Sequence, residues 1–281
     1  CKNLEVGYGG YQDKNMAREW CVKAAENGLL EAQTYLGLWY IYPIKTIVGQ
    51  DLKPDYKNGL KWLSKAANQN HSPAQFALAR EYLRGENFNQ NYEEAFKWFS
   101  KSANQGHAEA QNYLGSMYQY GLGISNDYEE AWKWFSKSAQ QGNVESQYKL
   151  FQFHYFGFIK PKDTDKAVMW AKKAALNGSV EAQYDLGVLY YNGEGVPQDY
   201  KNALASFKKA ARWDHAEALF MIGIMQEFGK GDFLPNHAKA VEDWYIKAAE
   251  LCNVKAIEKV KRVEENGFSL EVNYQNCPGL K

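Results

Sequence analysis

Apolar and small residues recur along this chain at helical spacing, in two alternating stripes. In the first stripe a Trp shares one helix face with small residues three positions before it and four and five positions after it. The second stripe centres on a large aliphatic residue sixteen positions after the Trp, again beside small residues. No strand-type alternation accompanies either stripe. The pattern therefore predicts pairs of helices, a helix A followed by a helix B.

One short string marks every helix A and defines a repeat. W-x-x-K-A-A or a close variant occurs at anchors spaced by 42, 36, 36, 36, 36 and 38 residues: Trp20, Trp62, Trp98, Trp134, Trp170, Ser206 and Trp244. Hairpins that recur at a constant step bury their apolar faces by stacking on one another. We therefore predict a single all-α solenoid over residues 1–265, made of a partial N-terminal unit and about seven repeats, with a C-terminal tail at 266–281.

The helix boundaries carry signals of their own. Residue types that favour N-caps stand seven positions before the anchors, with His237 as the exception: Asp13, Asp55, Asn91, Asp127, Asp163 and Asp199. Helix A is predicted to end at a left-handed residue eight positions after the anchor: Gly28, Asn70, Gly106, Gly142 and Gly178. Helix B is predicted to end at a second set of glycines: Gly85, Gly121, Gly157, Gly193 and Gly229.

These recurrences follow the order A-x-x-W-x-x-K-A-A-x-x-G-x-x-x-A-Q-x-x-L-G-x-x-Y-x-x-G-x-G-V-x-x-D-Y, which residues 167–200 reproduce almost without gaps. In this pattern the chain resembles the Sel-one-like repeat (SLR) family, which is related to the tetratricopeptide repeat. The resemblance implies a right-handed α-solenoid superhelix of stacked antiparallel helix hairpins. It also implies a non-catalytic scaffold whose partner is another protein.

The resemblance also narrows the function we expect. Similar bacterial exported proteins include immunity proteins that neutralise a cognate secreted toxin or effector, such as a phospholipase, and virulence-linked adaptors. The alternative is a cell-wall or β-lactam-binding enzyme resembling the Helicobacter cysteine-rich proteins. In that branch paired cysteines staple every hairpin, whereas the 4 cysteines of this chain follow no repeat spacing.

Charge and hydropathy exclude two classes of partner. Lys and Arg total 33, Asp and Glu total 33, and the formal net charge is zero. Nucleic acid is therefore not the expected partner, because phosphate binding needs a basic excess or stripe. Mean hydropathy is −0.60, and no apolar run approaches the roughly 20 residues of a membrane span. The neutral total gives no indication of the charge of a protein partner.

Catalytic and metal-binding patterns are not found in the sequence. There is no G-x-S-x-G and no H-E-x-x-H, so we expect no enzyme activity and no cofactor. His71, His107 and His215 each follow an anchor by nine positions. Equivalent positions in stacked hairpins lie at least about 8–10 Å apart, too far to share one metal ion at bond lengths of about 2 Å. The G-x-G pairs recur at the same place in several repeats and predict turns between repeats.

Large residues that break the repeat are the candidates for partner binding. Two lie in an inserted loop, four lie in or after helix B of the fourth repeat, and one replaces the Asn or Gln of other repeats: Tyr42, Ile44, Phe151, His154, Phe156, Phe158 and Trp213. Local repacking of the core is an equal alternative for these positions.

The cysteines bear on the compartment. Cys252 and Cys277 either close the C-terminal tail onto the last helix as a disulfide in an oxidising compartment or remain buried thiols. Cys1 is either the lipidated first residue of a mature lipoprotein or the start of a chain that has lost earlier repeats. We expect a periplasmic or lipid-anchored protein, with the cytoplasm as the alternative.

Overall fold

A computed structural model describes residues 14–43, 53–86 and 89–265 and the single positions 270, 272 and 277. Regular structure within these residues is helical throughout. The helices are α1 (Lys14–Glu26), α2 (Leu30–Ile41), α3 (Tyr56–Asn68), α4 (Ser72–Arg84), α5 (Tyr92–Asn104), α6 (Ala108–Tyr120), α7 (Tyr128–Gln140), α8 (Val144–Phe156), α9 (Thr164–Leu176), α10 (Val180–Asn192), α11 (Tyr200–Ala211), α12 (Ala216–Glu227), α13 (His237–Ala240), the π-helix π1 (Val241–Tyr245), α14 (Ile246–Glu250) and α15 (Val254–Glu265).

The chain divides into two compact bodies, Cys1–Asn143 and Val144–Lys281. Within each body consecutive helices pack side by side, and a helix B packs more extensively on the helix A that follows it than on the one before it. The core of each body lies between these helices and consists largely of Ala, Leu and aromatic side chains. The prediction of an all-α solenoid of stacked helix pairs is confirmed.

Close packing of helix B on the next helix A depends on a residue seventeen positions after the anchor. A Cβ built on Gly37 would lie 2.8 Å from Leu63 Cγ, and one on Gly187 would lie 2.6 Å from the Phe207 ring. Since real Cβ atoms do not approach so closely, only glycine fits at these two positions. The space that a side chain would take is filled by a large residue of the facing helix.

Phe151 occupies this glycine position in the fourth repeat, and it is a core residue. Only 3% of it is exposed. Ala171 stands where the other facing helices carry a large residue, and it lies in the same buried cluster as Phe151. The two positions have exchanged sizes, which conserves the volume between α8 and α9. Phe151 is therefore removed from the candidate partner-binding residues, because local repacking accounts for it.

The predicted N-caps hold for five helices. At each, the side-chain oxygen accepts a hydrogen bond from a backbone N–H near the helix start, at 2.9–3.0 Å: Asp55, Asn91, Asp127, Asp163 and Asp199. Asp13 lies outside the described residues. In the last repeat the cap is Asn236 rather than His237, and it accepts from Lys239 N at 2.9 Å. The helix begins one residue earlier because π1 accommodates an extra residue before the anchor.

The helices end at residues with left-handed backbone conformation, at the positions that the glycines and Asn70 predicted. Asn70 has φ of 62°, and Gly106 has φ of 92° with open space where a Cβ would stand. In the last two repeats the same position is held by Asp214 and Cys252, whose φ values are 55° and 64°. No helix among the described residues is long and apolar enough to cross a membrane.

A disulfide ties residue 277 to the last helix pair. Cys252 Sγ and Cys277 Sγ are bonded, and 25 positions separate the two residues in the sequence. Cys277 is buried in the cluster that contains Ala249, Ala256 and Ile257. Of the two alternatives for these cysteines, the structure has the disulfide.

Candidate partner-binding surface

Every helix A whose anchor is a Trp carries a lysine above the indole ring, three residues after the anchor. The Nζ atom lies 3.9–5.7 Å from the ring centroid in six repeats, in the pairs Lys23–Trp20, Lys65–Trp62, Lys101–Trp98, Lys137–Trp134, Lys173–Trp170 and Lys247–Trp244. Cations at this distance are attracted to the electron-rich face of the indole. The constant lysine of the repeat therefore has a physical role, and it makes the helix A surface both aromatic and basic.

In the fifth and sixth repeats, charge is separated between the two kinds of helix. The A helices α9 and α11 together carry six lysines and one aspartate. The B helices α10 and α12 together carry four carboxylates and neither lysine nor arginine. The neutral total of the chain therefore conceals a basic surface along α9 and α11.

A ladder of side-chain amides links consecutive repeats at the turn between helix A and helix B. The Gln thirteen positions after the anchor donates from Nε2 to an alanine carbonyl of its own repeat, as Gln75 does to Ala67 O at 3.1 Å. Its Oε1 accepts from the amide seven positions after the next anchor. The four such bonds measure 2.7–3.3 Å: Gln69 to Gln33, Gln105 to Gln75, Gln141 to Gln111 and Asn177 to Gln147.

The ladder stops at Trp213, which takes the position of the amide donor in the sixth repeat. Gln183 Nε2 still donates to Ala175 O at 3.2 Å. Its Oε1 is buried and has no hydrogen-bond partner among the described residues. The Trp213 side chain is instead 72% exposed. A buried acceptor left unpaired costs about 1–3 kcal/mol, so this position departs from what the fold alone favours.

A cavity of about 590 Å³ lies between α11 and α14, beside Trp213. Its apolar lining comes from Ala211, Leu219, Trp244 and Leu251. Three cations and two carboxylates complete it: Lys208, Arg212, Lys247, Asp214 and Glu250. We call it the turn-edge cleft. Trp213 is not one of its lining residues, but the two residues next to it in sequence, Arg212 and Asp214, both are.

Sequence reasoning missed the turn-edge cleft. Most of its residues occupy regular repeat positions and so do not break the pattern. One signal was present: Leu251 stands seven positions after its anchor, as Trp213 does. The last two repeats thus both replace the ladder amide with an apolar residue.

Phe156 and Phe158 form a second exposed feature, the aromatic pair. They are 61% and 41% exposed, with ring centroids 5.7 Å apart. The Phe156 ring contacts Tyr155 at 5.1 Å, and the Phe158 ring contacts the buried Phe153 at 5.2 Å. Phe156 is the last residue of α8, and Phe158 lies in the turn between α8 and α9. Trp213 lies in a different kind of turn, the one that follows helix A in the sixth repeat.

Tyr42 is held against α4. Its hydroxyl donates to Glu81 Oε1 at 2.9 Å and accepts from Arg84 at 2.7 Å, while 40% of the residue stays exposed. Burial raises the pKa of both Tyr42 and Glu81. The polar end of Tyr42 therefore serves the protein itself, and only part of its ring is open to a partner. Ile44 lies outside the described residues.

The histidines have structural roles. His107 and His215 stack on Phe76 and Tyr184 at 4.6 and 4.7 Å, and each Nδ1 accepts a backbone N–H at the start of helix B. His154 is half-buried, and burial lowers its pKa. Within the described parts of the chain no three His, Cys, Asp or Glu side chains are grouped to hold a metal ion.

Comparison with known families places the chain. Seven segments match the Sel1 repeat: residues 3–29, 30–71, 72–107, 108–143, 144–179, 180–212 and 216–251. The chain therefore belongs to the Sel1 repeat family, whose fold is a protein-interaction scaffold. All segments after the first begin at the start of a helix B, which agrees with the closer packing of each helix B on the following helix A.

Two solved structures are similar over nearly the whole chain. A protective antigen present in uropathogenic Escherichia coli strains, which displays an SLR fold, has a TM-score of 0.85 and 30% identity, covering 98% of this chain. A Sel1 repeat protein from Oxalobacter formigenes has a TM-score of 0.76 and 32% identity, covering 93% of this chain and 74% of that one. This chain spans 57% of the length of the E. coli protein. No functionally curated protein matches the sequence.

Proposed function

We propose that this chain is a non-catalytic scaffold that binds one dominant protein partner through the C-terminal body. Trp213 carries the proposal. Its ring is largely exposed where other repeats hold a structural amide, and the fold accepts an unpaired Gln183 Oε1 in return. Trp is among the residues that contribute most to protein interfaces. The aromatic pair offers a second exposed contact in the same body.

We further propose that the protein is exported by a bacterium and acts as an immunity protein that neutralises a cognate secreted toxin or effector, for example a phospholipase, or as a virulence-linked adaptor. The resemblance of the repeats supports this role. The Cys252–Cys277 disulfide supports an oxidising compartment, for which we propose the periplasm. Cys1 lies outside the described residues.

The neighbouring reading frame supplies the test. Its product is purified, and its Kd for this chain is measured by calorimetry. Trp213→Ala and the double variant Phe156→Ala/Phe158→Ala should each weaken binding by at least about fivefold, or 1 kcal/mol. Leu234→Ala is the matched control, since Leu234 is 85% exposed in a loop outside both features. The control should bind like the unchanged chain.

Two results would count against the proposal. If no complex forms with a toxin-like neighbour, the immunity role fails. If crosslinking in the native cell also recovers no protein partner, the scaffold function fails as well. Hydrolysis of a β-lactam or of peptidoglycan by the pure chain would favour the enzyme alternative instead.

A further inference from the structure

The turn-edge cleft combines an apolar floor with a basic wall. The Trp244 ring and Leu251 belong to the apolar lining, and the Lys247 Nζ lies 5.7 Å from the centroid of that ring. Lys208 and Arg212 stand on the facing wall, at the end of α11. The helix α11 carries three lysines and no acidic residue. A ligand for this cleft therefore needs an apolar group together with negative charge.

The shape of the site favours a peptide segment over a membrane. A cavity of about 590 Å³ holds one or two large side chains, whereas a lipid surface is met by protruding residues. Asp214 and Glu250 also face the cleft and would repel the head groups of an anionic bilayer. A peptide can donate hydrogen bonds from its backbone N–H groups to Asp214 and Glu250, and its own carboxylates can be spaced so that they avoid these two side chains.

Trp213 adds an exposed apolar surface beside the cleft. Its indole is largely exposed, and the residues on either side of it, Arg212 and Asp214, line the cleft, so that one partner segment can contact both. Such an arrangement, with an aromatic residue next to a pocket rimmed by charge, is the usual composition of an interface hot spot.

We propose that the turn-edge cleft receives an acidic segment of the partner protein, which inserts one large apolar side chain between α11 and α14 while its flanking carboxylates pair with Lys208, Arg212 and Lys247. This inference rests on the proposed function, because it specifies the chemistry of the partner at the same surface. It assigns the order of groups in the partner: acidic, apolar, acidic.

The test uses the full chain and a fluorescein-labelled peptide of about a dozen residues, with a central Leu between Asp and Glu residues in a Gly-Ser background. We expect a Kd of about 10–100 µM by fluorescence polarisation. Replacing the Leu by Ala, or the acids by Asn and Gln, should each weaken binding at least about tenfold. Raising the salt concentration should weaken binding to the acidic peptide only.

Protein variants assign the binding to the cleft. Lys208→Glu/Arg212→Glu should weaken binding at least about tenfold, and Trp213→Gln at least about fivefold. Lys57→Glu/Lys61→Glu makes the same charge change on exposed positions of α3 and should bind like the unchanged chain. Circular dichroism and thermal unfolding confirm that each variant is folded.

The outcomes separate this inference from the proposed function. No binding at millimolar peptide, or equal binding by the neutral peptide or by Lys208→Glu/Arg212→Glu, overturns the inference. The inference is also overturned if the chain binds no peptide but sediments with phosphatidylglycerol vesicles, and if the Trp213 variant no longer does so. That result would identify a lipid surface as the ligand. If the native partner still binds the cleft variants normally, the scaffold function stands and only this site is wrong.

Discussion

At Trp213 the chain forgoes a hydrogen bond that four pairs of repeats make. The indole cannot reproduce the side-chain amide that the other repeats present at this position, and Gln183 Oε1 is left buried without a partner. Stability and recognition therefore favour different residues at a single site. Residues that serve binding at the expense of the fold are a recurrent origin of marginal stability at functional surfaces.

Trp213→Gln should make the protein more stable. The new side chain can donate from Nε2 to Gln183 Oε1, as Gln105 does to Gln75 at 2.7 Å. Pairing this acceptor should raise the free energy of unfolding by about 0.5–1.5 kcal/mol, measured by urea denaturation. Trp213→Ala is the control, since it removes the indole without supplying a donor. A loss of stability in Trp213→Gln as large as in the control would mean that the indole packs against the fold.

Between elements, the contact of α8 with α9 shows how one pair of positions sets the distance of two helices. Elsewhere a small residue on helix B faces a large one on the next helix A, as Ala79 and Phe99 do in the same buried cluster. Between α8 and α9 the sizes are reversed, with Phe151 facing Ala171. Each arrangement fills the same space, so neither position can change alone.

A double-mutant cycle tests this exchange. Phe151→Ala should lower the free energy of unfolding by about 3–5 kcal/mol, because it leaves a cavity. Ala171→Phe should lower it by about 1–3 kcal/mol through overpacking. The double variant reproduces the Ala–Phe order of the second and third repeats and should recover most of both losses. Simple additivity of the two losses would contradict the size exchange.

This pair also shows where sequence reasoning stops. Helix boundaries were predictable because caps and left-handed glycines act within a few residues. The choice between core and partner surface stayed open for Phe151, because its substitution is explained only by Ala171 on the next helix, twenty positions later. Asn236 was missed because the sequence alone does not say whether an extra residue enters the loop or the helix, and π1 takes it into the helix.

At the scale of the molecule, the repeat count and the all-α fold followed from period and anchor alone, whereas the turn-edge cleft did not. Lys208, Trp244 and Lys247 look ordinary in their own repeats. Only the stacking of α14 beside α11 brings them to one cavity. Trp213 was found because it breaks the pattern, but its link to Gln183 required the register between repeats.

The Cys252–Cys277 disulfide should stabilise the C-terminal body locally. Cys252→Asn/Cys277→Ala removes it, and Asn is chosen because Asn70 already occupies the equivalent left-handed position with φ of 62°. Removing a disulfide that spans 25 residues should lower the free energy of unfolding by about 2–4 kcal/mol. Hydrogen exchange should become faster in α14 and α15 and stay unchanged in α3 to α6. A uniform change across both bodies would contradict a local role.

The amide ladder also bears on how such a chain can change in length. Each donor amide bonds to the Gln of the repeat before it, as Gln105 does to Gln75 and Gln141 does to Gln111. A duplicated segment such as residues 72–107 therefore carries one acceptor and one donor of the ladder. Unequal recombination within the N-terminal body can thus lengthen or shorten the gene by 36 codons while every rung stays occupied. Copying the repeat that holds Trp213 would not create a second turn-edge cleft, because Trp244, Lys247, Glu250 and Leu251 come from the last repeat. The length of the chain can therefore vary by recombination while the number of clefts stays the same.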